Sequence, residues 1–221
     1  MQNKLKNIQI VLTGNFSPFS TEPMNLLEIS ALFHEFHLFP KEVTEQRIEF
    51  AQAGQKITLL KSLELVSANQ QTILQVRPDM LVYETNISAT DPLSNFFDIF
   101  IRILRKIENK INFSKVSRLG FIQTEEDSEE NIEAYKEANK LTSEIIEHRT
   151  RVVLRQTLSS ISELVNFVKT VDYISKEAGA PQNILNYSFD INTLADKDAP
   201  RFNIIDIENF LTGAGQILIE G

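Results

Sequence analysis

Cysteine is absent from this 221-residue chain, and that excludes disulfides, thiolate zinc sites, cysteine-ligated clusters and thiol catalysis. Tryptophan is absent too, so bulk in the core has to come from other apolar side chains. Glycine and proline number seven each, too few for long disordered or low-complexity stretches. Basic charge is in deficit: 22 Lys and Arg stand against 30 Asp and Glu, a net charge of −8. No overall basic field therefore draws the chain to nucleic acid or anionic membranes. No uncharged apolar run approaches the roughly 20 residues of a membrane span. The polar start, Met1 to Asn7, lacks the apolar core of a signal peptide. A cytoplasmic location is the resulting expectation.

What is present is 42% hydrophobic residues, enough for a real core. Residues 5–13 are aliphatic and partly alternating, which predicts a strand. Ser20 or Thr21 can cap a helix whose apolar positions Leu26, Leu27, Ile29, Leu32, Phe33 and Phe36 recur at three- and four-residue steps, and Pro40 is expected to end it. Strands are predicted at 47–50, 57–66, 72–76 and 80–86, with turns at 67–70 and around Pro78. Short turns favour antiparallel neighbours, hence a meander.

From Asp91-Pro92 the stripe Leu93, Phe96, Phe97, Phe100, Leu104, Ile107 and Ile111 predicts a long amphipathic helix, with Arg102, Arg105 and Lys106 opposite. A strand over 116–122 follows. Residues 124–130 are an acidic run (Glu125, Glu126, Asp127, Glu129, Glu130) leading into a polar helix over 131–147. Beyond it, strands are expected at 151–158, 164–174 and 185–191, a turn at Gly179 to Gln182, and a short closing helix at Ile204 to Leu211. Gly213-Ala214-Gly215 is read as lying just after that helix.

The fold class is thus α+β, antiparallel meanders packed against helices, with a plausible duplicated β-β-β-α unit. Three segments result: 1–124, a connecting 125–147 and 148–221, unless the whole is one continuous domain.

Candidate chemistry is sparse. His34 and His37, three apart with Glu35 between them, could bind a divalent metal. The zincin spacing of four is missing, and the same histidines suit a helix C-terminus. Acidic residues 125–130 are explained by solvation and helix-N-terminal placement. No Gly-x-Ser-x-Gly elbow, Ser-x-x-Lys pair or glycine-rich phosphate loop occurs. Arg149, Arg151 and Arg155 share one parity, so on a strand they share a face, where cross-strand pairing with carboxylates or contact with an acidic partner would occupy them. The 15 phenylalanines, among them Phe33, Phe36, Phe96, Phe97 and Phe100, fill a core or line a groove.

Three features together carry a resemblance: the helix leading into Leu38-Phe39-Pro40, the long helix followed by Val116-Ser117-Arg118-Leu119-Gly120-Phe121-Ile122, and Tyr187-Ser188-Phe189-Asp190-Ile191 before a closing helix. The chain resembles, over nearly its whole length, a sporadically distributed family of uncharacterised bacterial and archaeal α+β proteins. That resemblance implies no catalytic set, and its patchy occurrence suits defence- or phage-related systems.

The expected function is a non-enzymatic interaction module, prokaryotic or phage-encoded, that binds another protein through a sheet edge or apolar groove. Direct nucleic-acid binding, membrane association and a cofactor are not expected, and no catalytic or metal residue is assigned. A homodimer through exposed edge strands is a further expectation. Two alternatives are a metal-dependent enzyme using His34 and His37 with carboxylates, and an acidic phage or plasmid inhibitor of a nucleic-acid-binding protein.

Overall fold

The computed structural model describes residues 5–16, 23–51, 54–88, 90–111, 115–127, 129–142, 144–179, 182–195 and 199–220. Within these, side chains are described except at 5, 23, 24, 45–51, 54–61, 111, 129, 130, 219 and 220. The expected capping residues Ser20 and Thr21 fall outside the described set.

Among the described residues nine strands form one antiparallel sheet: β1 (Leu5–Thr13), β2 (Leu38–Ala51), β3 (Gly54–Ser67), β4 (Thr72–Val76), β5 (Met80–Ser88), β6 (Arg118–Glu126), β7 (Glu147–Leu158), β8 (Glu163–Ile174) and β9 (Ile184–Thr193). Four α-helices accompany them: α1 (Pro23–Phe33), α2 (Leu93–Ile111), α3 (Glu129–Ala138) and α4 (Ile204–Glu220). The architecture is α+β and dominated by its sheet.

The strand order is β2-β3-β4-β5-β1-β6-β9-β8-β7. It folds back on itself about the central β1–β6 pair. On one side β1 pairs with β5, the last strand before α2; on the other β6 pairs with β9, the last strand before α4. The strand after α2, β6, does not pair with β5, because β1 is inserted between them. Strand pairing across a sheet is long-range, so sequence spacing alone does not fix which strand takes the centre.

Alternation decides which face is covered. Ile8, Ile10 and Leu12 of β1 are buried, as are Leu81 and Tyr83 of β5 and Leu119 and Phe121 of β6. Their alternate neighbours along each strand, such as Gln9, Val82 and Ile122, are half-exposed on the other face. The apolar stripe of α2 lies on the covered face: Tyr83 stacks on Phe96 at 5.1 Å and Phe100 at 5.3 Å between ring centroids, and Phe97 meets Phe121 edge-on at 5.5 Å. Helix α1 adds Ile29 and Phe33 to the same core, and α4 adds Ile207, Phe210, Leu211 and Ala214. A smaller cluster of Ile132, Val171, Tyr173 and Leu185 lies under α3.

Three boundaries depart from the sequence reading. The first helix gives way at His34 to a single 3-10 turn closed by His37, whose φ of 54° is left-handed, so Leu38 can enter β2 buried. Pro40 then lies inside β2, an edge strand, where its missing N–H is tolerated. The polar helix is shorter than 131–147: α3 ends at Ala138 and Glu147 already opens β7.

The third departure is α4, which runs on through Gly213-Ala214-Gly215 instead of stopping before them. Its start is capped reciprocally, the Asn203 N–H donating to Asp206 and the Asp206 N–H to Asn203, at 2.9 and 3.0 Å. Its glycines are there for close approach. A Cβ on Gly213 would lie 2.5 Å from Ser160 Oγ and 2.8 Å from Leu158 Cδ1, and one on Gly215 would lie 3.3 Å from Phe97. Gly213→Ala is therefore expected to destabilise the protein by about 1–3 kcal/mol through overpacking, despite alanine's roughly 1 kcal/mol better helix propensity. Gly215→Ala, where the ring yields by a few tenths of an ångström, is expected to be milder. Urea unfolding of both variants checks the order.

Candidate functional site

The histidine pair comes together only in part. His34 and His37 have ring centroids 6.5 Å apart, but the carboxylate between them is turned away. Glu35 accepts from Arg102 at 2.8 Å and pairs with Lys106 at 2.8 Å, bridging the 3-10 turn to α2. Among the described residues no group of three or more His, Asp or Glu side chains is placed to hold a metal ion.

The α2 cations are likewise engaged. Lys110 pairs with Glu28, and Arg105 lies 3.6 Å from Glu208. The basic face of α2 thus ties three elements together. The Lys106 ammonium, with Arg102 beside it, holds the Glu35 carboxyl below its ordinary value. A depressed folded-state pKa gives stability that is present above the unfolded value and lost as pH falls through the folded one. Glu35→Gln is expected to lower the urea midpoint slightly at pH 7 and to match the wild type at a pH acid enough to protonate Glu35 in both states.

The acidic run is spread over distinct roles. Glu125 and Glu126 belong to β6 rather than to a loop, Glu125 lying 3.5 Å from Lys6 and Glu126 accepting from Gln182 at 3.4 Å. Asp127 accepts from Asn131 at 2.7 Å at the start of α3. His148 meets the Tyr135 hydroxyl through Nδ1 at 2.9 Å, fastening α3 to β7.

Strand β7 is the feature that stands apart. It is an edge strand of 12 residues, and in it only His148 and Leu158 are less than exposed. In its middle Val152, Val153 and Leu154 are 47%, 46% and 52% exposed, three successive apolar side chains showing on both faces. Proteins usually blunt such an edge with charged side chains, proline, a bulge or a covering element, and of these β7 has only charge, from Glu147, Arg149, Arg151 and Arg155. Here the full strand pairs residue for residue with β8 and its outer side is uncovered among the described residues.

The three arginines lie on one face, as their parity requires. Arg149 stands opposite Asp172 and pairs with it; Arg155 stands opposite Asn166 and donates to its Oδ1 at 3.3 Å. Arg151 stands opposite Thr170 and has no charged partner among the described residues. Cross-strand pairing with carboxylates accounts for one arginine of the three, leaving a basic, partly apolar edge on an acidic molecule.

A second concave feature lies on the helical face. Between α2 and α4 is a cavity of about 470 Å³, walled by Leu93, Phe97, Ile101 and Leu218. Gln123 of β6 also lines it. That side chain is 4% exposed, and its Oε1 has no hydrogen-bond partner. The sequence reading passed over Gln123, although its parity with Leu119 and Phe121 places a polar group on the core face.

No helix among the described residues is long and apolar enough to cross a membrane. The chain matches no family model and no curated protein.

Proposed function

We propose that this protein is a non-enzymatic interaction module that captures an extended, acidic segment of another protein as a tenth strand along β7. The single observation behind this is the uncovered edge with Val152, Val153 and Leu154 at its centre. Strand addition supplies affinity through main-chain hydrogen bonds, and alternate side chains supply specificity. A partner strand would set carboxylates against Arg151 and Arg155 on one face and apolar residues against Val152 and Leu154 on the other.

Self-pairing is the weaker reading of the same edge. In an antiparallel two-fold pairing, facing residues have a fixed sum. Centred on Val152, Arg149 stands opposite Arg155 of the second copy; centred on Val153, Arg151 stands opposite Arg155. Like charges directly opposite each other destabilise a sheet. Charge therefore opposes the homodimer in these two registers, whereas an acidic partner strand meets no such repulsion in any register.

The palindromic strand order also supports reading the fold as a duplication. Each half would run strand, helix, three or four strands, helix, which extends the simpler β-β-β-α unit by its leading strand and helix. The resemblance to the sporadically distributed family belongs to the same proposal, and it adds no residue role.

The test uses two synthetic peptides, one alternating Glu and Val and one alternating Lys and Val. The Glu–Val peptide is expected to bind the full chain, more weakly as salt rises. Equal binding of both peptides would overturn the charge argument, and binding of neither would overturn the edge.

A further inference from the structure

We propose that the strand taken up by β7 is β2 of a second copy of this chain, laid beside it in parallel, so that molecules join head to tail in one continuous sheet. This rests on the strand-capture reading of β7 and names its occupant. It differs from the two-fold pairing of β7 with itself, because here the two opposite edges of the sheet meet.

Direction follows from the strand count. Every neighbouring pair in the nine-stranded sheet is antiparallel, so its two edges, β2 and β7, run the same way. A second copy set alongside, with its helices on the same side, therefore brings β2 to β7 in parallel. Leu38 is buried on the helical face, so odd-numbered residues of β2 lie on the open face. Arg149, Arg151 and Arg155 share that face, because Arg155 continues the row of Asn166 and Asn192, and Asn192 alternates with the buried Ile191.

The backbone groups are in phase for this pairing. The Ser175 N–H donates to the Ile146 carbonyl at 2.8 Å, one rung beyond Glu147 and Ile174. Bonded rungs alternate along an antiparallel pair, so Arg149, Arg151, Val153 and Arg155 turn their N–H and C=O groups outward. On β2 the marker is Pro40, which suits a position facing away from β3 and makes the even-numbered residues the outward set. In a parallel ladder each outward residue bonds to the two neighbours of the residue opposite it. Odd residues of β7 thus stand opposite odd residues of β2 and bond to the even ones between them.

Charge then selects the register. With Glu45 opposite Arg151, Glu49 falls opposite Arg155 and Lys41 opposite Glu147. All three pairs are opposite in sign, and Ile48 falls opposite Leu154. Pro40 stands just before the first rung, where only its carbonyl takes part. A slide of two residues is the smallest that keeps the faces matched. It sets Arg47 opposite Arg151 in one direction and opposite Arg155 in the other.

The test is sedimentation of the full chain over a range of concentrations. A head-to-tail contact leaves one edge free at each end, so the mean mass is expected to keep rising past the dimer, less steeply at high salt. Arg151→Glu with Arg155→Glu should weaken association about 30-fold, and Glu45→Lys with Glu49→Lys by a similar factor. Mixing these two variants should restore it, because each keeps the edge that the other has lost and the two altered edges are again opposite in charge. Glu45→Lys alone, which faces uncharged Leu60 in its own hairpin, should weaken association about fivefold. A wild-type chain that stays monomeric, or a dimer that grows no further, would overturn the pairing of β7 with β2. So would a Glu45→Lys chain that associates as the wild type does, or double variants with wild-type circular dichroism that do not recover on mixing. The Glu–Val peptide separates this failure from that of strand capture itself. A monomeric chain that binds the peptide takes its acidic strand from elsewhere, and one that does not bind it removes both readings.

Discussion

Phe100→Ala is expected to destabilise the protein by about 3–5 kcal/mol, the largest effect of any single truncation proposed for this fold. Phe100 is fully buried on the central turn of α2 and stacks on Tyr83 of β5 at 23° between ring planes. Tyr83 in turn stacks on Phe96, so removing one ring unseats a three-ring column between helix and sheet. Part of the cost is transfer of the ring from water, and part is the cavity that a close-packed interior cannot close. In a chain of this length the midpoint of thermal unfolding should fall by on the order of 10 °C. Ile99, one residue away, is 40% exposed, and Ile99→Ala should cost about 1 kcal/mol or less. The contrast between neighbours is the useful readout. Comparable losses at both positions would mean that α2 does not present the face described.

The second large effect is on recognition. Exchanging Arg151 and Arg155 together for Glu should reverse which peptide β7 prefers. Each exposed cross-strand ion pair is worth about 0.5 kcal/mol, and a like-charge pair costs a similar amount. Two attractions lost and two repulsions gained come to about 2 kcal/mol, or roughly 30-fold in affinity. The Glu–Val peptide should weaken by that factor and the Lys–Val peptide should gain. Folding is not at issue, because both side chains are exposed and neither pairs with a carboxylate among the described residues. Arg149 is left in place, because Asp172 holds it and removing it would strand that carboxylate. A double variant that binds both peptides as the wild type does would separate the arginines from recognition altogether.

Much of this was legible in the sequence, for reasons that differ by element. Strands β1, β4 and β5 and helix α2 declared themselves through local periodicity and through turns such as Arg77 to Met80, whose backbone groups bond to each other across Pro78-Asp79. The shared face of Arg149, Arg151 and Arg155 followed from parity alone. Other features were hidden because their causes are tertiary. Pro40 signals a helix end in any local reading; only the edge position of β2 explains a proline within a strand. Gly213 and Gly215 read as a terminus, whereas they are small because Leu158 and Phe97 lie against them. Between two histidines Glu35 offered a carboxylate to the alternative metal reading, and only the tertiary fold shows α2 bringing Lys106 and Arg102 to it from far along the chain. Gln123 did leave a local trace, a polar residue continuing the alternation of Leu119 and Phe121, and the cavity beneath it required α4 to be in place.

The claim that β7 captures a partner by strand addition is tested most directly by amide hydrogen exchange along the sheet, with and without the Glu–Val peptide. Pairing would protect alternate β7 amides between Arg149 and Arg155, those pointing away from β8, while leaving β4 and β5 at the sheet's interior unchanged. Protection confined to the α2–α4 region, or no added protection in β7 at saturating peptide, would contradict it.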